Sequence, residues 1–170
     1  MSVTPFEPPD SHHFNSASGW LDLGLPADAL HDLERLSPTY REHPEALELR
    51  WSIYAKMENW DLALHVALDL MRMDPGRPSG YVHRSYALRR SHGGGLHAAW
   101  SALCPARELF PKEPIIPYNL ACYAAQMGRL EESWDLLHAA MEAAGDIKFI
   151  KDLALKDPDL AALKERVAEL

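Results

Sequence analysis

The stretch Tyr118-Asn119-Leu120-Ala121-Cys122-Tyr123-Ala124-Ala125-Gln126-Met127-Gly128-Arg129-Leu130-Glu131-Glu132-Ser133 decides the fold of this chain. Tyr118, Leu120, Ala121 and Ala124 lead a helical run, Gly128 turns it, and the small residue Ser133 stands five positions later with Trp134 behind it. The same succession occurs three times upstream. Ala29, Ala63, Ala99 and Ser133 are separated by 34, 36 and 34 residues, and Gly24, Glu58, Gly94 and Gly128 each precede the small residue by five. A large apolar residue follows it at Leu30, Leu64, Trp100 and Trp134, and a third apolar phase falls at Leu36, Leu70, Ala106 and Ala140. Self-similarity near 34 residues marks stacked helix–turn–helix units. Such units cannot bury their apolar faces alone, so they stack into a continuous solenoid. The expected fold is all-α.

Composition sets the limits on function. With 170 residues, 47% of them hydrophobic and 25% charged, the chain has the balance of an ordinary globular domain. Its net charge of −8 is unbroken by any basic run. A nucleic-acid partner would need a cationic face to replace phosphate counterions, so none is expected. No window is apolar enough to span a membrane. The N-terminus lacks the basic start and apolar run of a secretory signal. Cys104 and Cys122 are too few for a disulfide framework, and the chain reads as a reduced, cytoplasmic protein.

Proline and glycine punctuate the rest. Residues 1–16 read as a flexible arm, because Pro5, Pro8 and Pro9 each remove a backbone donor. Repeats are expected over 17–145 and capping helices over 146–170. The first unit has a short helix with Trp20 and Leu23, then a helix opened by Pro26, and so lacks most of its leading helix. The second has helices over 44–57 and 60–73. The third spans 78–110, with two extra residues in its Gly93-Gly94-Gly95 turn and a kink at Pro105. The fourth spans 114–144. Helices over 146–156 and 159–169, parted by Asp157-Pro158, close the chain with polar faces.

These residues resemble the tetratricopeptide repeat family. Tyr118 to Ser133 matches the family's first helix and turn nearly letter for letter. Residues 63–75 look like its second helix, with closing prolines at Pro75 and Pro111. Trp51 departs from the family, which usually places a small residue there. The resemblance implies a right-handed superhelix of about three and a half units. Its leading helices would line a concave groove that holds a peptide or protein segment, and its members are mostly non-enzymatic scaffolds, chaperones and adaptors.

Residues three and four apart share a helix face. The leading-helix face opposite the packing stripe offers Glu48, Ser52 and Lys56, then Val82, Tyr86, Arg89 and Arg90, then Tyr118, Cys122, Ala125 and Gln126, with His83 and Asn119 at the groove's edge. Tyrosine supplies contact area and arginine a fork suited to carboxylates. The family's clamp for chaperone C-termini is not expected, because Glu48, Ser52, Ser79 and His83 stand at its positions and only Asn119 keeps the type. Phe6 and Phe14 could reach the face from the arm.

Catalytic patterns do not assemble. His92-Gly93-Gly94-Gly95 resembles an oxyanion turn, yet no Gly-x-Ser-x-Gly elbow accompanies it, and no Gly-Lys-Ser/Thr makes it a phosphate cradle. His92, His97 and His138 lack zinc-site spacing, so no metal or other cofactor is expected. The expected role is a non-enzymatic protein-binding module. The alternatives are a cytosolic chaperone for secreted proteins, or a structural subunit that self-associates weakly through its repeat ends.

Overall fold

The computed structural model describes residues 5–170, which form helices and turns with no strand among them, the α-solenoid class that the period predicts. The chain divides into two compact units, Met1–His83 and Arg84–Leu170.

In the first unit α1 (Asp10–Asp22) packs on α2 (Pro26–Leu33), the short α3 (Pro38–Arg41) follows, and α4 (Pro44–Lys56) pairs with α5 (Trp60–Met73). The Asn59 side chain accepts the Leu62 N–H at 3.3 Å and so starts α5 where the sequence predicts. Ala17, Ala29, Leu33, Leu36, Ala46 and Ile53 form a fully buried cluster. The dividing point lies inside α6 (Pro78–Arg90).

The N-terminal expectation needs correction. The arm predicted over residues 1–16 is helical from Asp10, and its residues 1–4 lie outside the described residues. The prolines stand before the helix, where a missing donor costs nothing, rather than within it. Two carboxylates fasten the helix: Asp10 accepts the Ser37 N–H, and Asp32 accepts from Ser16 Oγ, from Trp20 Nε1 at 3.0 Å and from Arg35 Nη1 at 3.2 Å. The first unit therefore has a full leading helix. Phe6 stacks on Phe14 with centroids 4.5 Å apart and lies against Tyr40 and His43, so both phenyl rings are engaged within this unit.

In the second unit α9 (Ile115–Gln126) and α10 (Leu130–Ala144) make the most intimate pair, with α7 (Leu96–Leu103) and α8 (Ala106–Leu109) against α9. Pro105 does more than kink a rod: it parts α7 from α8, since it cannot donate and crowds the preceding turn. The closing segment also departs from expectation. After α11 (Ile147–Ala154), the single helix expected over 159–169 is a 3-10 turn (Pro158–Leu163) followed by α12 (Lys164–Ala168). Leu160 and Leu163 are buried three apart and Val167 four further on, so the apolar spacing itself changes from three to four.

The repeat phase has a direct structural meaning. Ala29, Ala63, Ala99 and Ser133 are each the fourth residue of α2, α5, α7 and α10, and each is completely buried. Leu36, Leu70, Ala106 and Ala140 are completely buried as well. Ser133 stays dry by donating its hydroxyl to the Ala121 carbonyl at 2.7 Å. Three turns are left-handed at the equivalent position, with φ of 77° at Gly24, 56° at Glu58 and 75° at Gly128. The third, lengthened turn moves that role to Gly93 and Gly95, at 73° and 125°. Gly94 serves another purpose: a Cβ there would sit 1.9 Å from the Leu88 carbonyl oxygen.

Candidate functional site

In the first unit the leading-helix residues are already partnered. Glu48 accepts from Ser79 Oγ and shares a hydrogen bond with His83 Nε2, while Arg77 Nη1 stands 3.6 Å away. Arg77 reaches Glu45 at 2.9 Å and Asp74 at 3.2 Å as well. Burial pushes the Glu48 carboxyl up, but its His83 and Ser79 hydrogen bonds outweigh that and hold it below the usual carboxylate range. The His83 ring lies flat on Trp51, centroids 3.8 Å apart at 10°. Trp51, out of place for the repeat pattern, is thus a platform for His83. Ser52 donates to the Glu48 carbonyl at 3.0 Å, Val82 is half-buried, and Lys56 is exposed at the end of α4. Of this group Lys56 is exposed, while Glu48 and His83 are hydrogen-bonded to each other.

The second unit gathers the other candidates around two carboxylates from the closing segment. Arg89 bonds Asp159 through both terminal nitrogens, Nη2 to Oδ1 at 2.9 Å and Nη1 to Oδ2. Tyr118 donates its hydroxyl to Asp157 Oδ2 at 2.9 Å, and the Cys122 thiol lies 3.5 Å from the same oxygen. Gln126 Nε2 donates to the Asp159 carbonyl at 3.0 Å. The other oxygen of Asp157 accepts the Asp159 N–H at 2.9 Å, which fixes the turn that presents both acids. Tyr118 and Cys122, expected on an open face, are buried beneath this turn. Burial pushes both their hydroxyl and thiol far up, with the Asp157 carboxylate adding to it, so both groups stay protonated donors.

Beside the turn lies a cavity of about 370 Å³ walled by Tyr86, Arg90, Asn119, Leu153, Lys156 and Pro158. Arg90 lies over the Tyr86 ring at 3.7 Å and bonds the Tyr86 carbonyl at 3.2 Å, and Asn119 donates to the Ile115 carbonyl at 2.8 Å. Sequence spacing brings Tyr86, Arg89, Arg90, Asn119, Cys122 and Gln126 to one place. It does not reveal Asp157 and Asp159, whose partners lie 33 to 70 residues away. The only hint is the Asp-Pro-Asp turn itself.

Ligand atoms of Cys122, Asp157 and Asp159 come within 4.8 Å of one another, the spacing a metal ion would use. Asp159 is already paired with the Arg89 guanidinium, and the Cys122 thiol is held protonated, whereas a metal-binding cysteine must be a thiolate.

No protein-family model matches the chain, and no curated protein matches it. Solved structures do. A thermophilic TPR protein of Thermus thermophilus superposes with a TM-score of 0.69 at 22% identity, over 96% of this chain and 83% of that one. The chain has the tetratricopeptide-repeat fold. MamA 41-end from Desulfovibrio magneticus RS-1 follows the same path with a TM-score of 0.67 at 17% identity, over 98% and 97% of the two chains. Another crystal structure of MamA gives 0.66 at 15% identity over 81% and 79%.

In this tetratricopeptide-repeat fold the unit pattern places α4, α6 and α9 as leading helices and α5, α7 and α10 as second helices. All of the candidate residues lie on leading helices, and none belongs to the second-helix small-residue stripe. Among the described residues no helix is long and apolar enough to cross a membrane.

Proposed function

We propose that this protein is a non-enzymatic interaction module that holds a peptide or protein segment on its leading-helix faces, the groove face of the tetratricopeptide-repeat fold. The observation that carries the reading is the second-unit cavity, where Tyr86, Arg90, Asn119 and Lys156 set an aromatic ring, two cations and an amide around a preformed hollow. Preformed sites bind without a large ordering cost, and tyrosine and arginine are enriched among binding hot spots. The protonated, buried Cys122 is a poor nucleophile, in keeping with a role apart from catalysis. Cytoplasmic residence belongs to the same proposal and is supported by two cysteines that remain outside any disulfide.

The test is affinity capture from native extract with the wild type beside a Tyr86→Ala/Arg90→Glu/Lys156→Glu variant of matched helicity. Arg89 is left intact because it holds Asp159. A protein retained by the wild type and lost by the variant is the expected result; equal retention would move the binding surface elsewhere.

Self-association is the second reading, and one observation favours it. The closing segment exposes apolar surface: Ile147 and Phe149 are 57% and 58% exposed, and Ile147 lines a cavity of about 400 Å³ with Met141, Leu170, His138 and Glu142. Light scattering over a concentration series, with Phe149→Glu alongside, tests it: a monomer at every concentration removes this reading.

A further inference from the structure

The Asp157-Pro158-Asp159 turn touches the second unit's leading helices as a bound ligand would. Its two carboxylates and one carbonyl collect donors from four candidate residues: Arg89 of α6 and Tyr118, Cys122 and Gln126 of α9. The pairing is chemically specific. A guanidinium fork meets one carboxylate bidentately, and a phenol and a thiol converge on one oxygen of the other. What anchors the segment lies further on, where Leu160, Leu163 and Val167 are buried, while Pro158 and Lys156 are exposed. The acidic turn is the start of the 3-10 helix, so lifting it uncoils Asp157 to Asp159 while Leu160, Leu163 and Val167 keep the remainder seated.

Resting on the interaction reading above, we infer that this face is a receptor for an acidic segment bearing two carboxylates one residue apart, and that the chain's own Asp157-Pro158-Asp159 occupies it until such a partner segment displaces it. Charge favours this partner class. Arg89 and Arg90 converge here in a protein of net charge −8, so removing the resident acids leaves a cationic seat. A short tether holds its ligand at an effective concentration in the millimolar range, which sets the handicap a separate segment must overcome.

The test uses the full chain and a fluorescein-labelled, end-capped synthetic peptide with the sequence of residues 154–162, beside the same peptide with both aspartates replaced by asparagine. Fluorescence polarisation compares the wild type with an Asp157→Asn/Asp159→Asn variant. The variant should bind the acidic peptide at least about tenfold more tightly than the wild type does, and it should leave the asparagine peptide unbound. Equal affinity of wild type and variant, or no preference between the peptides, overturns the inference. Hydrogen exchange on the wild type covers the case in which the variant unfolds. Saturating acidic peptide should strip protection from the amides of Asp157, Asp159 and Leu160, and unchanged protection overturns displacement. A random-peptide display against the variant separates the two levels. Acidic binders support the inference. Neutral or basic binders that compete at Tyr86 and Arg90 overturn it and leave the interaction reading standing, and a surface that selects nothing overturns both.

Discussion

Replacing Gly94 by alanine should be among the most damaging single-methyl additions this chain can receive. The added Cβ would lie 1.9 Å from the Leu88 carbonyl oxygen, 3.0 Å from its carbon and 2.8 Å from Ser91 Oγ. Relief requires the carbonyl to move by roughly an ångström, a strain of the kind that costs about 1–3 kcal/mol when a packed site is overfilled. That carbonyl also accepts the Gly95 N–H at 2.8 Å, a bond worth about 1 kcal/mol net. Restricting the unfolded chain gives back about 0.4–1 kcal/mol, which leaves a destabilisation of about 2–3 kcal/mol. With a typical urea slope of about 2 kcal/mol per molar, the unfolding midpoint falls by about 1–1.5 M. The neighbouring glycines act as controls, because a Cβ on either meets nothing within 4 Å and only backbone conformation is tested. Gly93→Ala at φ 73° should cost about 1–2 kcal/mol. Gly93→Asn should cost less, since asparagine visits the left-handed region readily. Circular dichroism during urea titration measures all three. If Gly94→Ala unfolds with the wild type while Gly93→Ala falls well below it, the Gly94 position has room for a Cβ and the close approach is refuted.

Ala63→Leu places three further carbons at a completely buried repeat position and should lower stability by about 1–3 kcal/mol or more, whereas Leu68→Ala, 45% exposed on the same helix, should change it little; thermal melts compare them. The Ser16 hydrogen bond, with Trp20 and Arg35 beside it, holds the Asp32 carboxyl below its ordinary value despite burial. A depressed carboxylate contributes stability above the ordinary value of 3.8 and loses it as pH falls through the folded value, so the stability gap between the wild type and Asp32→Asn should narrow from pH 7 to pH 3 in paired urea titrations. Tyr118→Phe removes a donor from Asp157 and should cost about 1–2 kcal/mol, read as earlier exchange of the Asp159 amide. A thiol reagent at pH 8 should modify half-exposed Cys104 before buried Cys122, and Arg89→Met should narrow that difference by freeing the turn over Cys122.

Legibility followed the range of the interaction. The α5 helix was readable to the residue because its N-cap, its buried stripe and its stop at Asp74-Pro75 all lie within sixteen positions of one another. The small-residue phase was readable because repetition multiplies a weak local signal. The start of α1 was not, since Pro8 and Pro9 look alike whether they break a helix or precede one. The choice is made by Asp10 reaching Ser37 and Asp32 reaching Ser16, contacts 27 and 16 residues apart. The same holds for the site. Periodicity put Tyr86, Arg90 and Asn119 together correctly, but it presented Tyr118 and Cys122 as open surface because nothing local says that a turn 35 or more residues downstream covers them. Sequence spacing offers Glu48 and His83, likewise 35 residues apart, as separate groups, whereas they form one hydrogen-bonded pair.

The hydroxyl at Ser133 has a consequence for how such chains are recognised. Three of the four equivalent positions are alanine, and the fourth is a polar residue that loses nothing because the facing helix backbone offers an acceptor at 2.7 Å. What the position selects is therefore the volume of the side chain, with polarity left to drift wherever a carbonyl stands ready. Two chains can differ in most of their letters under such a rule and share an architecture, as 17% identity over 98% of this chain shows beside a TM-score of 0.67. Likeness of fold of this kind is recorded in the spacing of a cross-section more than in the letters that fill it.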